Sequence, residues 1–394
     1  MDRRPRIAVL VPTSSHYGRE VLHGIAAFTR RQQPWTFARY PWSLADDSFV
    51  ARLAPCDGVI AMAGRKFYSR VRAPAALPWV CVADVFDVAG PAVMSDNPAV
   101  GRRAAEHLLG CGLRRFAFCG YPTVLYSDQR LAGFRTALEA AGHEVSICPL
   151  PPTRIGSRRN VTGEQRAIET WLRSLTPPVG VFAAADSRAA AVTAVCAEIG
   201  YRVPDEVAVV GVDNDDLVCE LTSPPLSSVE MNPRRIGFEG AALLLRLLQV
   251  QPPPTDPVLI EPQGVIKRQS TDTFAAEEPG VAEALRYLRQ HACDGIGVSD
   301  VVRVVPVARR TLEKVSRRVL GRSPLQEIRR LQLERATELL RSTDLRISQI
   351  AQAAGLRDGK YLADVFHREL GISPSAYRRQ SREMYGPGHA PPRA

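Results

Sequence analysis

The chain is predicted to fold as a two-lobed α/β domain followed by an all-helical domain with two helix-turn-helix units. Three observations in its 394 residues predict this. From Arg6 to about Arg268, short β-branched runs alternate with amphipathic helical stretches. The rhythm stops at residues 269–280, QSTDTFAAEEPG, after which every segment has a helical pattern. Within that last third, one short pattern occurs twice.

In chain order, the predicted strands are Ile7–Val11, Gly58–Ala61, Trp79–Val82, Arg115–Cys119, Val179–Ala183 and Val207–Val212. Helices are expected at Arg19–Arg31, Ala99–Leu109, Gln129–Ala141, Ser187–Ile199 and Pro233–Leu248. In the last of these, Ile236, Ala241, Leu244, Leu245 and Leu248 share one face. Strands alternating with helices imply parallel sheets covered on both faces, and the span is too long for one compact lobe. The expected boundaries are an α/β domain at 1–270, a linker at 271–280, a helical domain at 281–383 and a disordered tail at 384–394.

The basic start, MDRRPRIAVLVPTSS, reads as a first buried strand, since the apolar run Ile7–Val11 is short for a signal sequence. No apolar run approaches the roughly 18–20 residues that cross a bilayer. The eight cysteines are scattered, with no C-x-x-C pair, and read as reduced, mostly buried thiols of a cytoplasmic protein with no membrane partner. No G-x-G-x-x-G follows the first strand, and neither a phosphate loop nor a G-x-S-x-G elbow is present. No enzyme, cofactor or metal is therefore expected. The acidic stretch at Asp213, Asn214, Asp215 and Asp216 fails as a calcium loop. Counting from Asp213, Val218 stands where glycine is needed and Pro224 where the bidentate glutamate belongs. It reads instead as a strand end that delivers Asp213 to a cleft. Asp215 or Asp216 then caps a short helix, and SPPLSSV runs back as an extended crossover between lobes.

Charge separates the two parts. Residues 281–394 carry 21 Lys/Arg against 12 Asp/Glu, whereas the preceding 280 residues carry 30 against 29. An excess confined to one domain points to a polyanion partner, most simply double-stranded DNA. Seven helices are predicted from Val281 to Arg379. The pattern L-x-x-V-x-x-x-x-L-G-R-S-P at 312–324 returns as L-x-x-V-F-x-x-x-L-G-I-S-P at 362–374. Each copy is a basic helix that ends at Gly and restarts at Ser-Pro, the N-cap and N1 residues of the next helix. The long helix between the copies, in SPLQEIRRLQLERATELLRST, spans about 19 residues. At 1.5 Å per residue it spans about 28 Å, close to one turn of DNA at about 34 Å.

These residues carry a family resemblance. The stretch RRTLEKVSRRVLGRSP, then LERATELLRSTDLRISQIAQAAG, then VFHRELGISPSAYRR resembles the DNA-binding module of AraC/XylS-type transcription regulators over about 100 residues. The resemblance implies base contacts from Arg310, Glu313 and Lys314 in the first unit and from Lys360, Tyr361 and Asp364 in the second. Arginine can read guanine, and a carboxylate can accept from cytosine. Arg309, Arg317, Arg318, Arg368 and Arg378 are the expected phosphate contacts. Asp364 departs from the basic or neutral residue usual at its position, and Leu356 replaces the commoner Phe.

The first 268 residues, through DNPAVGRRAAEHLLGCGLRRFAFCG, SDQRLAGFRTALEAAGHE and VPDEVAVVGVDNDDL, resemble the effector domain of LacI-type regulators. That implies a periplasmic-binding-protein-like fold with a sugar in the cleft. Sugar hydroxyls need both donors and acceptors, which planar charged groups supply in pairs. The expected ligand residues are Arg130, Asp186 and Asp213, with His16, Tyr17 and Asp84. A LacI-type sensor on an AraC-type reader is similar to the regulators of xylose operons. The implied protein is an activator of genes for xylose or a related pentose, working as a homodimer and recruiting RNA polymerase. Alternatives are a regulator responding to another small molecule and a sugar-binding protein with no DNA role.

Overall fold

The computed structural model describes residues 4–32, 34–39, 55–62, 77–83, 90–152, 160–250, 252, 254, 256–273, 279–320 and 322–385. At 279, 282, 318, 319, 342 and 381–385 it describes the backbone alone. The chain divides into two compact units: residues 1–107 with 115–271, and residues 272–394 with the short segment 108–114.

The first unit has two sheets. In one, β1 (Arg6–Leu10) lies between β2 (Thr36–Arg39) and β3 (Gly58–Ala61), with β4 (Trp79–Cys81) beyond β3, all parallel. A parallel pair, β5 (Val93–Ser95) and β11 (Val258–Ile260), is joined to β4 by a bridge between Cys81 and Ala92. The other sheet has the order β12 (Gly264–Ile266), β10 (Ser227–Glu230), β9 (Val207–Val212), β8 (Val179–Ala183), β6 (Phe116–Cys119), β7 (Val145–Ile147). It is parallel except at β12. Every residue of β8 and β9 is buried, as strands covered on both faces require. The chain passes between the lobes three times, after β5, β10 and β11. Two hydrogen bonds tie the crossings together: Asp96 N–H to the Ile260 carbonyl and Gln263 N–H to the Glu230 carbonyl, each 2.9 Å.

Glycines bring one helix pair in each lobe into backbone contact. In the first lobe, α1 (His16–Arg31) lies against the later helix Pro233–Leu248. A Cβ on Gly24 would fall 2.0 Å from the Arg234 carbonyl oxygen, and one on Gly237 would fall 2.0 Å from that of Val21. In the second lobe, α2 (Asn97–Gly110) and α3 (Leu125–Ala140) meet in the same way. There, Cβ atoms on Gly101 and Gly133 would fall 2.0 Å from the carbonyl oxygens of Arg130 and Pro98. No side chain but glycine's hydrogen fits such a crossing. The remaining helices of this unit are α4 (Val161–Ser174), α5 (Asp186–Glu198), α6 (Asp216–Leu221) and α7 (Pro233–Leu248).

The six strands read from sequence are present. The strands β2, β5, β7, β10, β11 and β12 and the helix α4 were not located by periodicity, whereas the short helix after the acidic stretch is present as α6. The segment SPPLSSV is not wholly a crossover: Ser227–Glu230 is a strand paired with β9. Its serines hid it, since Ser227 and Ser228 are fully buried and serve as hydrogen-bonding groups rather than apolar packing. The crossover follows it, at Met231 and Asn232.

In the second unit the described residues form seven α-helices, α8 (Pro279–His291), α9 (Val298–Val304), α10 (Arg309–Leu320), α11 (Pro324–Ser342), α12 (Ile347–Ala353), α13 (Gly359–Leu370) and α14 (Pro374–Tyr385). Two cores share α11. One gathers Val281, Leu285, Leu288, Val301, Leu312, Val315 and Ile328, and the other gathers Ala336, Leu340, Ile350, Leu362 and Phe366. The predicted caps are in place: Ser323 Oγ accepts from Gln326 N–H at 3.3 Å while Gln326 reaches back to Ser323 N–H at 2.8 Å. Helix α14 runs through the expected start of the tail at 384, and 386–394 lie outside the described residues.

Candidate ligand cleft and DNA-reading face

At the end of β9 the backbone turns through two left-handed residues, Asp213 (φ 106°) and Asn214 (φ 49°). For residues with a Cβ this costs of order 1–3 kcal/mol each and persists only where the surroundings enforce it. The enforcement is visible. Asp213 N–H donates to the Val229 carbonyl at 3.1 Å, Asn214 N–H to Ser228 Oγ at 3.0 Å, and Asp215 N–H to Asp186 Oδ2 at 2.8 Å. Arg268 adds a bond to Asn214 Oδ1 at 2.7 Å. Asp215 then caps α6, accepting from Leu217 N–H at 3.2 Å, as its position predicted.

Asp186, at the start of α5, is 2% exposed. Its carboxylate accepts from Ser228 Oγ at 2.6 Å and from Cys219 Sγ at 3.4 Å, besides Asp215 N–H. Burial, reinforced by the negative charge of Asp213, pushes its pKa up to about 8 against the pull of those hydrogen bonds. The residue read from sequence as a ligand contact is thus committed to holding the turn that presents Asp213.

Arg130 is also buried. Its Nε donates to Asn97 Oδ1 at 2.8 Å and its Nη1 to the Ala184 carbonyl at 2.5 Å, beyond the end of β8. The Gly101–Gly133 crossing is what lets Asn97 of α2 reach Arg130 of α3. Tyr126 lies across the guanidinium, its ring centre 4.7 Å away. A second stack stands beside it: Arg188 is 4.3 Å from the ring of Tyr121, whose hydroxyl lies 3.0 Å from Ser187 Oγ. Arg188 is 2% exposed and pairs with Glu164 at 3.0 Å.

From the other lobe, His16 and Tyr17 open α1 just after β1. His16 is near enough to Glu230, at the end of β10, to act on it electrostatically. Burial raises the Glu230 pKa, while Asn214, Arg268 and His16 oppose the rise. Tyr17 packs on the first lobe's core, so part of its ring is committed there. Asp84 lies outside the described residues. Sequence reasoning missed Asn97, Tyr121, Tyr126, Arg188, Glu230 and Arg268. Tyr121 and Glu230 lie at C-terminal strand ends, where α/β folds bind ligands, and recognising β10 as a strand would have pointed to Glu230.

On the helical unit, Leu312 and Val315 anchor α10 in the core and leave Arg309, Arg310, Lys314 and Arg317 exposed. Glu313 is held by Arg309 at 3.2 Å. On α13, Leu362 and Phe366 face inward while Lys360, Asp364 and Arg368 are exposed. Tyr361 packs on the second core with Arg357 5.6 Å from its ring, which leaves only part of it toward solvent. Arg368 pairs with Glu369 at 2.9 Å. Arg378 donates to the Leu345 carbonyl at 2.6 Å, a bond that ties α14 to the chain just before α12. The side chain of Arg318 lies outside the described residues. Aligned by the repeat, Arg310 corresponds to Lys360 and Lys314 to Asp364, so the two reading faces differ in charge.

A periplasmic binding protein-like domain matches residues 105–271 and a helix-turn-helix domain matches residues 301–380. The chain is 31% identical to the xylose operon regulatory protein of Escherichia coli K12, covering 97% of this chain and 99% of that one. It is 29% identical to the Haemophilus influenzae protein of the same name, covering 95% and 98%. A solved structure described as the xylose-binding transcription activator xylR aligns over 96% of this chain and 98% of its own, at 30% identity and a TM-score of 0.67. These relatives are transcription regulators, and no helix among the described residues is long and apolar enough to cross a membrane. The chain belongs to the xylose operon regulatory protein family, whose members join a ligand sensor to a DNA-binding module and regulate transcription in response to the ligand.

Proposed function

We propose that the effector is a monosaccharide of the pentose class, xylose or a close relative, bound between the lobes of the first domain. The strained turn at Asp213 carries this reading. Four protein groups hold the Asp213–Asp215 turn in a costly conformation at a strand end, and strain of that kind accompanies binding sites. In this reading Asp213 accepts from vicinal hydroxyls, and Arg130 donates to them while Tyr126 and Asn97 fix its plane. Asp186 acts through the turn. His16 and Tyr17 complete the site from the other lobe. Closure on the sugar then changes how two copies of the chain present their helical domains to promoter DNA. Activation follows by recruitment of RNA polymerase, in the cytoplasm and with no catalytic step. Relatives named for xylose support the sugar, and the charge placed on the last 114 residues supports the DNA partner.

Calorimetric titration of the purified protein with pentoses, hexoses and purines tests the effector. The expected result is saturable binding of a pentose, weakened about tenfold to a hundredfold by Asp213→Asn, as loss of a charged hydrogen bond implies. Binding of a purine alone would replace the sugar reading.

A further inference from the structure

Within helices α8–α14, three polar residues are buried among the described residues: Ser316, Glu327 and Gln332. Ser316 donates to the Arg322 carbonyl, and Glu327 is ringed by Arg289, Arg322 and Arg330, so both serve the first helix-turn-helix unit. Gln332 is different. It lies near the middle of α11, and its Nε2 donates at 3.0 Å to the carbonyl of Ala292 and at 2.9 Å to that of Gly355. Ala292 opens the 3-10 turn after α8 and belongs to the first core, whereas Gly355 is the turn residue between α12 and α13 of the second unit.

The backbone at this seam leaves no slack. Gly355 is left-handed, at φ 71°, and a Cβ on it would fall 2.5 Å from the Cys293 carbonyl oxygen. The turn of the second helix-turn-helix unit therefore lies against the chain leaving α8, and one amide group with two hydrogens closes the junction. Helix α11 by itself sets the distance between the reading helices α10 and α13. Their relative rotation depends also on how each helix-turn-helix unit packs on α11: the apolar contacts carry little direction, and the polar bonds of Glu327 and Arg341 each stay within one unit. Two directed hydrogen bonds from one side chain can set it. Base reading tolerates about 0.5 Å and 10–20° of misplacement, so a small slip at the seam would be felt at α13.

We propose that Gln332 is a positioning residue for two-part DNA reading: its amide donors fix α13 relative to α10, so the protein selects half-sites at one spacing. The proposal rests on both helix-turn-helix units reading DNA. The full-length protein would first select a site from randomised duplex DNA. Fluorescence anisotropy would then compare that site, versions with one or two base pairs inserted between its halves, and versions with either half scrambled. The variants are Gln332→Met, of similar length without donors, and Gln332→Lys, which keeps donors. Thermal melting would establish that each variant is folded.

For the wild type, insertion and scrambling both weaken binding. Gln332→Met is expected to bind the selected site about tenfold more weakly, the size expected when two buried carbonyls lose their donors. Its dependence on half-site spacing should flatten, its affinity for half-scrambled sites should stay unchanged, and Gln332→Lys should restore part of the spacing preference. A Gln332→Met protein that is folded and keeps the wild-type spacing profile overturns the proposal. A wild type indifferent to scrambling of one half overturns the two-reader basis instead, and the proposal falls with it.

Discussion

Replacing Asp186 by Asn should flatten the dependence of the sensor domain's stability on pH. The Asp186 carboxyl has a pKa near 8 in the fold, raised by burial and by Asp213, against about 4 in an unfolded chain. For an acid shifted upward, ionisation favours the unfolded state. The fold therefore loses stability as pH rises from about 4 toward 8, at roughly 1.4 kcal/mol per pH unit. Between pH 5 and 7.5 the loss from this group amounts to about 3 kcal/mol as an order of magnitude. Asparagine keeps the shape of the neutral acid. Its carbonyl can still accept from Asp215 N–H, and its amide can donate to Ser228 Oγ, which now donates to the carboxylate. Urea melts of the wild type and Asp186→Asn at pH 5, 6 and 7.5 read the difference directly, because the other titrating groups cancel. Trp171, buried in the same lobe, reports the transition. The variant should match the wild type near pH 5 and gain on it by about 3 kcal/mol at pH 7.5. Parallel curves would refute the assignment of Asp186 as a buried acid, neutral at pH 7, that holds the turn.

Four further substitutions have expected outcomes. Glu327→Gln leaves Arg289, Arg322 and Arg330 without their shared carboxylate and should cost the helical domain about 3–5 kcal/mol, seen by circular dichroism melting. Burial raises the Glu327 carboxyl but the three guanidinium groups lower it further. Its stabilisation is therefore full above the ordinary glutamate range and fades as pH falls below it. Gly133→Ala forces a methyl against the Pro98 carbonyl; urea melts should show a loss of about 1–3 kcal/mol, with weaker effector binding because Asn97 is pushed away from Arg130. Lys314→Ala should cost about 1–3 kcal/mol on the selected site and less on random DNA. Arg317→Ala should weaken both alike and lower the salt slope by about 1.

The helical domain was largely legible because its signals are local. Ser323-Pro324, Gly371 and the spacing of Leu312, Val315, Leu362 and Val365 each act within a turn or two of helix. The α/β domain was legible where strands are long and apolar, as in Val207–Val212, and illegible where burial is polar, as in Ser227–Glu230. The site divides in the same way. Asp213 and Arg130 stand in recognisable motifs, but their supports come from segments far apart in sequence. Asn97 is 33 residues from Arg130, and Arg268 is 54 from Asn214. Periodicity has no access to such pairs. Asp186 shows the converse limit: its motif suggested a ligand contact, but only the neighbouring strand reveals that its oxygens already accept from Ser228 and Asp215.

The central claim is that a sugar held at Asp213 controls DNA binding by the helical domain. Its most direct test is fluorescence anisotropy on the selected DNA site with and without xylose, for the wild type and for Asp213→Asn. Xylose should change the wild type's affinity for the site by at least severalfold and leave Asp213→Asn unmoved, with both proteins binding DNA equally in the absence of sugar. An equal response from the two proteins, or none from the wild type to any pentose, would contradict it.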